Sequence, residues 1–123
     1  MTIPDYQSIM LPLLRYSADN EEPSLRDAIE KLADEFKLTE EERKELLPSG
    51  QQAIFDNRVA WARTYMKKAG LIESTRRGYF KITQRGLEVL KRNPSEINVK
   101  FLEQFPSFIE FRNLRHEKET EKT

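Results

Sequence analysis

The stretch Asn57-Arg58-Val59-Ala60-Trp61-Ala62-Arg63-Thr64-Tyr65-Met66-Lys67-Lys68-Ala69-Gly70-Leu71-Ile72 runs directly into Glu73-Ser74-Thr75-Arg76-Arg77-Gly78-Tyr79-Phe80-Lys81-Ile82-Thr83. Phe55, Val59, Ala62, Met66 and Ala69 recur at steps of four, three, four and three, which makes one apolar stripe on a helix from about Gln52 to Ala69. Gly70 stands where a helix takes its C-terminal cap, and Lys67 and Lys68 fall in the last turn, where cations oppose the helix dipole. Leu71–Thr75 and Tyr79–Thr83 are β-branched or aromatic runs, with Arg76-Arg77-Gly78 between them as a tight turn. Gly78 supplies the positive φ that such a turn favours. An amphipathic helix therefore passes straight into a hairpin.

Upstream, the pattern gives three further helices. Tyr6, Ile9, Met10, Leu13 and Leu14 make a stripe over 4–17, in which Pro4 suits the first turn and Pro12 has to kink the helix or sit near its end. Ser24, answered by Asp27, caps a second helix that buries Leu25, Ala28, Ile29, Leu32 and Phe36 and pairs Asp27 with Lys31 on its wet side. Thr39 and Glu42 form a capping box for a short acidic helix over 40–47, with Leu46 and Leu47 as core contacts and Pro48-Ser49-Gly50 as its stop.

Downstream, Thr83 caps a helix with Leu87 and Leu90 inward, ending near Asn93-Pro94. Residues 97–111 are rich in aromatics and read as one or two helices broken at Pro106, packing on the domain or on a second copy of the chain, a homodimer. His116 to Thr123 reads as a frayed charged tail. The order helix, helix, short helix, long helix, hairpin, helix is that of a winged helix-turn-helix. The expected fold is mostly α with a small β-hairpin and an extra C-terminal helical segment, one domain over 1–115.

Composition narrows the function. A chain of 123 residues suits one domain, and its 34% charged residues lie above the average of about 25%. That supports one modest core under a charged surface, with little room for a deep two-domain cleft. Seven Phe, four Tyr and one Trp argue against disorder. With no cysteine and a single histidine, His116, thiolate metal sites, catalytic triads and histidine zinc sites are not expected. The acids of 19–47 are interleaved with Lys31, Arg43 and Lys44 and read as a solvated face, and no glycine loop cradles a phosphate. The chain alone is expected not to be an enzyme and to need no cofactor or metal. The longest apolar run, Ile9–Leu14, is far short of the roughly 18–20 residues a membrane span needs. Residues 1–6 carry no signal-peptide pattern, so a soluble cytoplasmic protein is the default expectation.

Formal net charge is zero, but it is unevenly placed. Residues 19–47 hold eleven acids and five bases, a net of −6, whereas residues 54–92 hold ten bases and three acids, a net of +7. A local basic footprint is what steers a protein to a polyanion; the plain alternative is two solvated faces attracting one another. Opposite the apolar stripe of the long helix lie Asn57, Ala60, Arg63, Thr64 and Lys67, flanked by Arg58, Trp61, Tyr65 and Lys68. Such a face suits a major groove, where Arg pairs guanine, Asn pairs adenine, and Thr or Ala touches a thymine methyl. Any exposed helix is also polar. Ser49, Gly50, Gln51 and Gln52 precede the helix and could hold a phosphate or simply cap it. Arg76 and Arg77 at the hairpin tip suit a DNA backbone or minor groove, or protect a sheet edge. Lys81, Arg85, Lys91 and Arg92 extend the strip. Trp61 and Tyr65 read as packing residues.

The blocks Thr2–Tyr6, Pro12–Tyr16, Asn57–Ile72 and Arg77–Thr83, continued by Asn93-Pro94 and Phe101–Pro106, resemble the N-terminal domain of the Mrr-type restriction endonucleases. The likeness runs from residue 1 to about 115, and Asn57–Ile72 is its specific part. The resemblance implies a winged-helix DNA-recognition module. In that family it precedes a PD-(D/E)xK nuclease domain that cleaves methylated DNA with a divalent metal. Nothing in this sequence resembles the nuclease half, so the expectation is a recognition domain separated from it or a short relative without it. No residue is assigned to methyl-base recognition. The expected partner is duplex DNA, through Ser49, Gln51, Asn57, Arg58, Arg63, Thr64, Lys67, Lys68, Arg76, Arg77 and Lys81. The alternatives are a protein-interaction or dimerisation module and a small winged-helix transcriptional regulator.

Overall fold

The computed structural model describes the backbone of residues 3–121 and the side chains of residues 3–114. Its elements follow in the order α1 (Tyr6–Ala18), α2 (Leu25–Glu35), α3 (Glu40–Lys44), α4 (Ile54–Lys68), β1 (Ile72–Arg76), β2 (Tyr79–Ile82), α5 (Gln84–Lys91), α6 (Val99–Leu102) and α7 (Pro106–Glu121). This is the mostly helical, winged-helix-like arrangement expected.

Side-chain caps set most of the helix starts. Asp5 accepts from the Ser8 N–H, Ser24 from Asp27, Thr83 from Gly86 and Asn98 from Phe101, and Thr39 with Glu42 forms the reciprocal box. At the end of α4, Gly70 has φ +83°, its N–H donates to the Lys67 carbonyl, and the Leu71 N–H donates to the Met66 carbonyl. Those are the paired bonds of a Schellman motif, and buried Leu71 and Met66 supply its apolar contact. The same motif closes α2 with Lys37 in the left-handed position at φ +56°. Pro12 lies inside α1, where its missing N–H leaves the Ser8 carbonyl without its intrahelical donor.

The core is built on α1 and α4. Ile9, Met10, Leu13 and Leu14 of α1 meet Phe55, Val59, Ala62 and Met66 of α4, all buried, with Ala28 and Leu32 of α2 alongside. Leu71, Ile72 and Phe80 close one end under the hairpin. Ile97, Leu102, Phe105 and Phe108 are buried too, so the aromatic C-terminal run packs on its own domain. Pro106 opens α7, so the break falls where expected. The tail from His116 onwards lies outside the described side chains.

Three local expectations are corrected. α3 ends at Lys44, not 47: Leu46 pairs with Ala53 in a one-residue bridge and is 54% exposed, so it is no core contact. Glu45 leaves the helical region with ψ 124°, and its carbonyl accepts from the Ile54 N–H instead of from a next turn of α3. Leu87 is exposed, and the inward residues of α5 are Gly86, Val89 and, as expected, the partly buried Leu90. On α2 the i,i+4 ion pair is Arg26–Glu30.

The hairpin pairs Ile72 with Ile82, Glu73 with Lys81 and Ser74 with Phe80, then bulges so that Arg76 faces Tyr79. The chain before α2 adds a one-residue bridge to this two-stranded sheet. Ser24 bridges Tyr79, the Leu25 N–H donates to the Gly78 carbonyl at 2.8 Å, and the Phe80 N–H donates to the Pro23 carbonyl at 3.1 Å. The wing is therefore tied to the start of α2.

Candidate nucleic-acid interface

At 100° per residue, the buried stripe of α4 divides the rest of its surface into three strips. The strip of Arg58, Trp61 and Tyr65 turns towards the chain termini. The Arg58 Nη1 donates to the Ile3 and Pro4 carbonyls at 2.9 and 3.2 Å. The Tyr65 ring packs edge-on against Tyr6, Trp61, Phe108 and Phe111. This is the packing role expected of the two aromatics. The Arg58 guanidinium binds the N-terminal segment, and its donors are turned to backbone carbonyls.

The opposite strip, Asn57, Thr64 and Lys68, faces outwards. The Asn57 Nδ2 donates to the Gln52 Oε1 at 3.1 Å, Thr64 is half-buried, and the Lys68 ammonium lies 5.4 Å from the centre of the Phe111 ring. The third strip carries Asp56, Ala60, Arg63 and Lys67. Asp56 reaches Arg26 at the start of α2, and Lys67 shares an open groove with Glu73 of β1 and Arg85 of α5. This strip thus borders both the wing and the α2 corner.

Arg63 is the distinctive residue there. It is half-buried, and among the described residues its Nε is the buried side-chain nitrogen or oxygen that finds no hydrogen-bond partner. A guanidinium with a desolvated, unpaired donor is unfavourable in the free protein and invites an acceptor.

The wing tip presents Arg76 and Arg77, both exposed. The Arg76 guanidinium lies 3.8 Å over the Tyr79 ring, and its Nε is 3.4 Å from a Glu22 carboxylate oxygen. Lys81 pairs across the strands with Glu73 at 3.3 Å. Among the described residues, Arg77, Arg63, Lys67 and Lys68 make no ion pair.

Ser49 and Gln51 lie elsewhere than expected. The Leu47 N–H donates to the Gln52 carbonyl and the Ile54 N–H to the Glu45 carbonyl, which pinches residues 47–52 into a loop before α4. α4 begins after Ala53 with no side-chain cap, and the Ser49 hydroxyl accepts from the Gln51 N–H at 3.3 Å inside that loop. Arg85 donates to the Ala69 carbonyl at 2.8 Å and lies 5.0 Å from the Phe105 ring, so it closes the end of α4. Arg92 donates to Gln104.

One cation was missed by sequence reasoning. Arg26 sits in the acidic block, yet the fold sets it between the first turn of α4 and the wing, 3.3 Å from Asp56. The sequence signal available was its place in the first turn of a capped helix.

The family model for the Mrr N-terminal domain matches residues 6–92. The chain belongs to the Mrr N-terminal domain family. Over 95 residues it is 36% identical to the type IV methyl-directed restriction enzyme EcoKMrr of Escherichia coli (strain K12). That match takes in 76% of this chain and 31% of the enzyme, so the chain spans about a third of the length of this relative. The family match contains α1 to α5, whereas α6 and α7 lie beyond it. No solved structure matches. No helix among the described residues is long and apolar enough to cross a membrane.

Proposed function

We propose that this Mrr N-terminal domain is a duplex-DNA-recognition module of a restriction system. In this reading the outward strips of α4 enter the major groove and the wing tip lies on the adjacent backbone. Arg63 carries the reading: a half-buried arginine on an outward strip of that helix, with no ion pair among the described residues, suits a base or phosphate acceptor supplied by DNA. The local +7 charge of residues 54–92 and the printed activity of the relative, methyl-directed restriction, support it. The target class is then modified DNA. Cleavage is assigned to a nuclease domain other than the one described.

Fluorescence anisotropy of labelled duplexes, with and without methylated bases, tests this at low salt. Binding is expected, and Arg63→Ala should weaken it and reduce discrimination between sequences by about 1–3 kcal/mol. A protein that binds no duplex at low salt overturns the proposal.

A further inference from the structure

Two ion pairs join the acidic block of residues 19–47 to the basic block of residues 54–92. Among the described residues these are Arg26–Asp56, at 3.3 Å, and Glu22–Arg76, at 3.4 Å. Other acids of α2 and α3 are paired within their own block: Glu30 reaches both Arg26, at 3.6 Å, and Arg43, Asp34 holds Arg43, and Glu40 holds Lys44. The two crossing pairs flank one place, the corner where α2 begins. There the Leu25 N–H is tied to Gly78 of the wing, and Asp56 lies in the first turn of α4.

Both arginines face solvent, with side chains 61% and 63% exposed. Neither pair is needed to hold the wing in place, because the backbone bonds from the Leu25 N–H to Gly78 and from the Phe80 N–H to Pro23 already do so. The exposed Glu22–Arg76 pair contributes little to stability, whereas the Asp56 side chain of the other pair is 23% exposed. The effect of both pairs is felt elsewhere, because a carboxylate and a phosphate use the same guanidinium donors.

We infer that Glu22 and Asp56 compete with DNA phosphate for Arg76 and Arg26, and that these two arginines form a phosphate site at this corner. Each acid occupies an arginine that a phosphate takes over on binding. The displaced carboxylate then faces the polyanion, so affinity for every sequence is held below what the cations alone would give. This inference rests on the DNA-binding reading and adds to it a site and two residues that set affinity.

The test measures the affinity of a labelled mixed-sequence duplex at constant salt for the full chain. The variants are Glu22→Gln, Asp56→Asn, Arg76→Gln, and the Glu22→Gln/Arg76→Gln pair. Glu35→Gln, at the far end of α2, serves as the control for net charge. Relative to that control, Glu22→Gln and Asp56→Asn should each tighten binding about two- to fivefold, the range open to an exposed pair. Arg76→Gln should cost more in the Glu22→Gln background than in the wild-type protein. Asp56→Asn also removes an acid from the first turn of α4; Glu22→Gln does not, so the proposal stays testable if the former unfolds. If Glu22→Gln binds like Glu35→Gln, or its gain survives loss of Arg76, the inference is overturned while DNA binding stands. If the wild-type protein binds no duplex, both fall.

Discussion

Substituting Arg58 and Arg77, two arginines of the same basic block, should give opposite signatures. Arg58 directs its guanidinium at the Ile3 and Pro4 carbonyls, whereas Arg77 stands exposed at the wing tip with no ion pair among the described residues. Apart from Arg58, which donates to backbone carbonyls, four cations on α4 and the wing make no ion pair among the described residues: Arg63, Lys67, Lys68 and Arg77. If those four neutralise phosphates, log K should fall with log salt at a slope of about −3.6, which weakens binding roughly 150-fold between 50 and 200 mM. Arg77→Gln should flatten the slope to about −2.7, a loss of roughly 40-fold over the same interval, and leave the melting temperature unchanged. Arg58→Gln should keep the slope. Losing its charge-assisted bonds should cost about 1–3 kcal/mol of stability, and each kcal/mol lowers Tm by roughly 3–5 °C in a domain of this size. Anisotropy at four salt concentrations and a thermal melt read both quantities. A slope flattened by Arg58→Gln at constant Tm, or unmoved by Arg77→Gln, refutes the division of the basic block into inward and outward cations.

Two further outcomes concern the scaffold. A Cβ at Gly86 would clash with the Leu71 carbonyl oxygen and lie 2.6 Å from the Ile82 Cγ1, so Gly86→Ala should push α5 away from the base of the hairpin and cost at least about 1–3 kcal/mol in denaturant unfolding. The Tyr6 hydroxyl titrates above its usual value, chiefly because burial disfavours the phenolate and secondarily because Tyr65 lies beside it. A raised folded-state pKa means that its contribution is complete below the unfolded value and is lost as pH rises through the folded one. Stability should therefore decline at alkaline pH, and Tyr6→Phe should lessen that decline in melts from pH 8 upwards.

What the sequence disclosed depended on repetition. The α4 stripe, the Thr39–Glu42 box and the Gly70 terminus are local patterns spanning several residues, and each is where periodicity and capping put it. The bridge beside the hairpin is one residue, Ser24, whose pairing with Tyr79 depends on the wing coming back to it, so no period could announce it. The loop at 47–52 was hidden in the same way, because the Leu46–Ala53 bridge draws Ser49 and Gln51 away from the cap of α4. Arg58 and Arg63 illustrate the limit at the site itself. Both are arginines off the apolar stripe, and only the position of the N-terminal segment gives one a pair of carbonyl partners and leaves the other with an unpaired nitrogen.

The zero net charge conceals this division. Arg43 and Lys44 hold acids of the −6 block within that block, and an exposed charge is largely screened beyond a Debye length of about 8 Å at physiological salt. The acids that can act on the basic surface are therefore those in contact with it: Glu22, Asp56 and Glu73. Two of the three come from outside the hairpin and meet at the α2 corner, while Glu73 engages Lys81 along the wing. Along α4, the strip with Arg63 and Lys67 has no ion pair among the described residues beyond that of Asp56 in its first turn. If this surface binds DNA, its affinity is set less by how many cations the chain carries than by which of them already have an anion of their own.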